Sequence, residues 1–423
     1  MSSPSPAPSE AETTEGPLVG RFASLRHRDF VLYLSATFFL TVGVGFQGTA
    51  LGAQIFALTE SERALGLVNL FEAIPAIFVA LFAGHLADRG DRKKIILLSA
   101  LALTASALVL AWLADPAAGP SITGSIYLVV AFTGLSQGLL GPSRSALGAE
   151  LVPRSLLADA INLRTSAWQI GMCLGPPIGG AVYAAGGART AYLVDAGLIF
   201  AAFLALASIR PRPVRPPKEG ESVLHSLQVG VKFVFSRKEI LGALSLDLFA
   251  VLFGGAIALL PKFAVHILGV GPEGLGVLRA APSVGAVFAA VLLTALPPIR
   301  RAGPTMLISV ALFGVAWICF GLSTSFVLSL VLLALTGAFD YVSVVVRHTL
   351  VQTRTPVEML GRVSAVNAIF IGSSNEIGGF ESGELAHWMG TVPSVVFGGC
   401  MTLVVVAIVA WRCPTLRRLG SLR

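Results

Sequence analysis

The chain has 423 residues, is 55% hydrophobic and only 13% charged, and carries a formal net charge of +7; its mean hydropathy is +0.80. A soluble domain carries about 25% charged residues, so this composition excludes a water-facing globule and indicates an all-α polytopic membrane protein. The apolar runs are continuous, which excludes spanning strands with their short alternating segments. The basic residues sit in short clusters between those runs, a pattern of membrane topology and not of nucleic-acid binding.

Residues 1–20 are rich in Pro, Ser and acids and have no apolar core behind basic residues. A disordered tail, not a signal peptide, is expected there. A basic patch, Arg21, Arg26 and Arg28, precedes the first apolar run at 30–53. Further runs at 65–83, 95–114, 124–148 and 161–185, and a sixth ending at 209, complete a first bundle over 21–209. The turn between the fifth and sixth runs holds Gly186, Gly187 and Arg189.

The longest polar interval, 210–239, opens with the Pro-rich, charged stretch PRPVRPPKEGE and reads as an extended linker. Residues 222–236 within it suggest a short amphipathic helix at the membrane surface. Six more runs, 240–263, 274–296, 304–322, 326–350, 363–388 and 393–411, make a second bundle over 240–411. A basic tail, 412–423, closes the chain. At about 20 residues per span, the chain holds about twelve transmembrane helices.

Of the 30 Lys and Arg, all but Arg63, Arg189, Lys262 and Arg279 fall on the side that holds both termini, the linker and the polar hairpin at 84–94. Arg279 lies inside the eighth run and is ambiguous. The bias puts both termini, the hairpin and the central linker in the cytoplasm. The chain also repeats itself. SRSALGAELVPRSLLADAINLR from Ser143 aligns without a gap with VRHTLVQTRTPVEMLGRVSAVN from Val346. Arg144 falls on Arg347, Pro153 on Pro356 and Leu157 on Leu360. Two pseudo-symmetric six-helix bundles follow, as in transporters built from repeats.

Two motifs stand out. The hairpin reads GHLADRGDRKK, with Gly84 and Gly90 for a tight turn and Asp88 placed to pair with an Arg. Such a bond breaks when two bundles rock, so Gly84, Asp88, Arg89, Arg92, Lys93 and Arg144 are candidates for an inner gate. The plainer reading is a positive-inside turn. In the fifth run, Gly171, Gly175, Pro176, Gly179 and Gly180 place small residues on one helix face, where another helix can approach closely. Pro176 removes a backbone hydrogen bond and allows a bend.

The hairpin resembles the loop between helices two and three of the major facilitator superfamily, and the resemblance covers nearly the whole chain. Where the general pattern has a Gly three residues after the Asp, this chain has Asp91. The Asp-Arg-x-Asp-Arg form is more similar to the subgroup of enterobactin and drug exporters. The second bundle has a degraded copy, LPPIRRAGP at 296–304, without the acid. The glycine motif matches the superfamily's helix-five antiporter signature, and that resemblance implies export. Many proton-coupled exporters of the superfamily carry an Arg in mid-helix four; the comparable stretch here, FTGLSQGLLG, has none.

Acids inside apolar runs are functional candidates by default. Glu72, Asp247, Asp340, Glu376 and Glu381 are of this kind, with Glu384 nearer the outer end, and Asn375 and Ser374 beside Glu376. They are candidates for carrying a proton or meeting substrate; the alternative for each is an ion pair that fixes packing. Gln47, Gln54, Asn69, Trp168 and Gln169 are candidates for the cavity wall. The four cysteines have no metal-ligand spacing and read as reduced packing residues. No catalytic constellation, nucleotide loop, metal or cofactor motif is present in the sequence. The expectation is a monomeric secondary transporter among membrane lipids that exports a small organic molecule, siderophore-like or drug-like, against proton influx. The alternatives are uptake or lipid flipping on the same fold, or a non-transporting sensor.

Overall fold

In hydrocarbon no water is available to backbone groups, so each apolar run closes its own hydrogen bonds as a helix. The computed structural model describes residues 22–89, 91–114, 121–210, 223–297 and 299–421; side chains are described except those of residues 80–89, 142, 154, 223–227, 357, 358, 365 and 368. The tail expected over 1–20, most of the linker, and Gly84, Asp88, Arg89 and Gly90 as side-chain candidates lie outside that set.

The helices are α1 (Arg28–Thr59), α2 (Glu62–Arg89), α3 (Arg92–Leu113), α4 (Thr123–Glu150), α5 (Leu157–Ala207), α6 (Val223–Ser236) and α7 (Lys238–Gly254). They continue with α8 (the single turn Leu260–Lys262), α9 (Gly271–Ala295), α10 (Ala302–Leu322), α11 (Phe326–Arg354), α12 (Val357–Met389), α13 (Thr391–Arg412) and α14 (Pro414–Arg417). Among the described residues there is no strand. Nine helical stretches among them are long and apolar enough to cross a membrane. One of these, α5, has 51 residues but breaks at Gly187, whose φ of 71° a glycine adopts without strain. That break is the turn expected between the fifth and sixth runs. α2 and α12 are as long, at 28 and 33 residues, but more polar. After α7 the chain stays helical through a 3-10 turn, α8 and a π-turn at Phe263–Ile267.

The helices pack in two halves. α1 lies on α5, α2 on α4, and α3 on both α4 and α5. In the second half α7 lies on α12 and α13, α10 on α11 and α13, and α9 on α11. Two seams join the halves: α2 against α12, and α5 against α9. The linker helix α6 docks on α12, with Gly230 close to the Arg362 carbonyl and Val234 buried among Val351, Val363 and Val366.

Arg92, Lys94, Arg300, Arg301 and Arg354 mark one end of the bundle, here the basic end; Glu62, Lys262 and Glu384 mark the far end. Each half has a core cluster towards each end. The outside of the bundle is apolar, as a lipid-facing surface requires. Trp112, Trp388 and Trp411, 79%, 78% and 74% exposed, sit at or beside helix ends, where amphipathic rings meet headgroups.

Candidate functional site

The far end is shut by contacts between the halves. Lys262 Nζ lies 3.2 Å from Glu62 Oε1, and Thr391 donates to the same oxygen at 3.1 Å. Arg63 Nε lies 2.8 Å from Glu384 Oε1. Lys262 also stands over the Phe56 ring at 5.5 Å, and His266 meets that ring edge-on at 5.4 Å. The far-end core of the second half takes in Ala53 from α1 and packs against Tyr183 from α5. A crevice of about 230 Å³ remains there, lined in part by Phe56, Glu60, Tyr183 and His266.

Glycines let the halves come this close. A Cβ on Gly180 would stand 2.4 Å from the Pro272 carbonyl oxygen, and one on Gly276 2.4 Å from that of Pro176. On the other seam, a Cβ on Gly383 would stand 2.7 Å from the Gly66 Cα and 2.8 Å from the Glu62 carbonyl oxygen. The remaining glycines of the α5 motif face inward to α1. Cβ atoms on Gly171, Gly175 and Gly179 would meet Thr41, the Val42 carbonyl and the Phe46 carbonyl at 2.9, 2.5 and 2.7 Å. Pro176 lies against Gly45. The motif therefore serves two interfaces, one within its half and one across to α9.

Below the closed end lies a group of ionisable residues. Glu72 is on α2, ten residues in from Glu62, about 15 Å along the helix. Gln137 of α4 donates to its Oε1 at 2.9 Å. Arg279 of α9 and Glu376 of α12 share its electrostatic environment. Asn69, one turn above Glu72, donates to the Leu65 carbonyl at 3.4 Å and abuts Gly379. Gln169 donates across the other seam to the Ser283 carbonyl at 3.0 Å. Asn375 is exposed although it lies deep along α12, and so is Ser166 on α5. Exposed polar side chains at that depth suit a cleft between the halves better than a lipid-facing surface. Trp168, 41% exposed, is on the same stretch of α5.

Residues 19–421 match the family described as transmembrane secretion effector. The chain belongs to this family of the major facilitator superfamily. The enterobactin exporter of Shigella flexneri is 32% identical over 401 residues, covering 93% of each chain. That of Escherichia coli O1:K1 / APEC is 30% identical over the same length and coverage. Among solved structures, a POT family transporter in complex with 5-aminolevulinic acid superposes with a TM-score of 0.74 at 14% identity, covering 95% of this chain and 98% of the other. A D-xylose-proton symporter gives 0.69 at 15% identity, covering 93% and 98%. These structural likenesses establish the major facilitator fold. The protein is a transporter of this type, integral to the bacterial inner membrane, and its relatives and structural neighbours are transporters, not enzymes.

The other residues singled out in the sequence of this transporter fall in several places. Arg92 pairs with Glu150 at the end of α4 at 2.6 Å. Lys93 donates to the Ala207 and Ile209 carbonyls, capping α5, where a cation is favoured. Both bonds stay within the first half. The Arg144 backbone carbonyl accepts from the Tyr33 hydroxyl at 3.0 Å; Asp88, the acid expected to meet the Arg144 side chain, is among the side chains outside the described set. Asp247 forms a buried ion pair with Arg347, inside the second half. Asp340 is half-buried on α11 and, among the described residues, makes no hydrogen bond or ion pair. Glu381 is half-buried on α12, and Asn375 donates back to the Ile371 carbonyl at 2.9 Å.

Gln47 and Gln54 point into the first half. Gln47 donates to Asp195 at 2.9 Å, and Gln54 accepts from the Tyr192 hydroxyl at 2.6 Å. Sequence reasoning passed over Asp195, which is fully buried, and the Gln137 partner of Glu72. It also set Arg279 aside as a topological ambiguity. The signal for Asp195 and Arg279 was the one that flagged the other acids, a lone charge inside an apolar run.

Proposed function

We propose that this transporter exports a small organic molecule, siderophore-like or hydrophobic, by alternating access coupled to proton influx. The observation that carries the reading is the group Glu72, Arg279 and Glu376, at mid-depth on the seam between halves and beneath a far end already shut. In this reading the basic end is cytoplasmic, in keeping with the distribution of Lys and Arg, and the molecule is open to the cytoplasm. Substrate enters the cleft from that side. The halves, 21–209 and 240–411, then rock about the two seams, and the far-end ion pairs part. Glu376 takes a proton from outside and releases it inside. The hairpin at 84–94 closes the cytoplasmic side through Asp88 and Arg144. The 30–32% identity to enterobactin exporters over 93% of the chain supports export as the direction.

The test is flux in everted vesicles under an imposed pH gradient, with the substrate first found by comparing metabolites of cells with and without the protein. Glu376→Gln is expected to abolish substrate-coupled proton movement while the protein remains in the membrane. Unchanged proton flux in that variant would transfer the role to Glu72 or Asp247. Asp88→Asn is expected to weaken flux with normal membrane insertion; undiminished flux would remove the hairpin from the gate.

A further inference from the structure

The geometry points to Arg279 as the seat for an anionic oxygen pair of the substrate, a carboxylate or its equivalent. The molecule carried is then one that bears such a group. This rests on the reading of the chain as a small-molecule transporter, and it names the substrate class of the same cleft.

Arg279 lies eight residues into α9 from its far-end start, about 12 Å along the helix. Its guanidinium is laid across α1. A Cβ on Gly48 would stand 2.8 Å from Nη1, and one on Gly52, one turn further, 3.4 Å from Nη2. The two glycines make a floor without side chains on which the planar head rests. An arginine brings five N–H donors and no acceptor. Here Nε is buried without a partner, and the head makes no hydrogen bond or ion pair with any described residue.

That state is unusual for a cation at this depth, which ordinarily pairs with a carboxylate. The same molecule shows the ordinary case in Arg347, which is paired with Asp247. Two carboxylates lie within the electrostatic reach of Arg279, yet neither closes on it. Glu72 is engaged by Gln137. Glu376 makes no hydrogen bond among the described residues.

A fork of donors held flat on glycine, with acids nearby but not bonded, is arranged to receive two oxygens side by side. Glu376 is then placed to accept from a hydroxyl or ammonium elsewhere on the same molecule. Such a ligand would touch α1 of the first half and α9 and α12 of the second at once. Its arrival would therefore be felt by both halves.

The experiment is binding to the purified full chain in lipid nanodiscs, without any gradient, by thermal stabilisation and calorimetry. The probes are salicylate and 4-hydroxybenzoate, the neutral salicylamide, and benzylamine. The carboxylates are expected to bind at least about tenfold more tightly than the amide or the amine, because a site built for a bonded group rejects the analogue that lacks it. Arg279→Gln should erase that preference. Arg279→Lys should keep the charge and lose most of the paired recognition. Gly48→Ala, which raises the floor and leaves every charge in place, should weaken the carboxylates alone.

Three results would overturn the assignment: benzylamine binding as tightly as the carboxylates, carboxylate affinity unchanged in Arg279→Gln, or no carboxylate bound by the unmodified protein. Failure of pH-driven flux in vesicles would instead strike the export reading and leave the binding result standing.

Discussion

The two seams between the halves begin alike and end differently. At the far end both are glycine against backbone: Gly180 and Gly276 between α5 and α9, Gly66 and Gly383 between α2 and α12. Towards the basic end the α5–α9 seam is crossed by a neutral bond, from Gln169 to the Ser283 carbonyl, while Arg279 of α9 lays its head on α1. The α2–α12 seam becomes ionisable, with Glu72 and Glu376 facing the field of Arg279. A surface that must separate and close again without trapping water is best made of small residues and satisfied backbone. A surface that must sense a proton or an ion needs charge in a low-dielectric setting, where each unit of charge counts for more. The pseudo-symmetric fold supplies the same geometry twice, and Glu72 and Glu376 both sit on one copy, the α2–α12 seam.

Gly276→Ala should break the comparison most. Its Cβ would meet the Pro176 carbonyl oxygen at 2.4 Å, and neither backbone can yield easily. Overpacking of this kind costs about 1–3 kcal/mol, a shift of about 5- to 150-fold in the balance between closed and open far ends. Flux should fall accordingly, and a cysteine introduced at Tyr183 should become open to impermeant maleimide. Normal flux with an unlabelled cysteine would mean that the α5–α9 seam does not govern closure.

Lys262→Met comes next. It leaves Glu62, whose side chain is 16% exposed, with the Thr391 hydroxyl bond and, among the described residues, no paired cation. A double-mutant cycle with Glu62→Gln should return a coupling of about 0.5–3 kcal/mol in thermal unfolding. Additive effects would show that the pair does not latch the far end. Arg63→Ala should matter least, because its side chain is 56% exposed and such pairs are worth about 0.2–1 kcal/mol. Its effect on flux should disappear at about 1 M salt; a large, salt-insensitive loss would give the exposed pair a role that its position does not suggest.

Much of the fold was legible along the chain. Apolar runs gave the helices, because in hydrocarbon a run has no other way to satisfy its backbone. Gly186-Gly187 marked the turn inside α5, and the family resemblance carried by the hairpin agrees with the match over residues 19–421. The site was legible in part. Glu72 and Glu376 were found because a lone acid in an apolar run is costly. Arg279 counted only as a topological ambiguity, because it lies inside the eighth run and sequence does not say at what depth the head of a long basic side chain comes to rest. Gln47 and Gln54 were read as cavity wall, yet they bond to Asp195 and Tyr192. In a helix apolar on every side, periodicity does not mark which face meets which neighbour.

The sequence by itself determined that this is a helical membrane protein, and the resemblance of its motifs pointed to the major facilitator type. The helices were readable because composition, run length and glycine turns act locally, through backbone hydrogen bonds that close within each helix. Spacing also put Gly171, Gly175 and Gly179 on one face of α5. Only the tertiary structure decided that this face meets α1 while Gly180 meets α9. It alone joined Glu62 to Lys262, residues about half the chain apart, and brought Arg279 onto Gly48 and Gly52. Those pairings are set by how whole helices lean on one another, and the energy that selects them is the fit of two surfaces, which no single stretch of sequence contains.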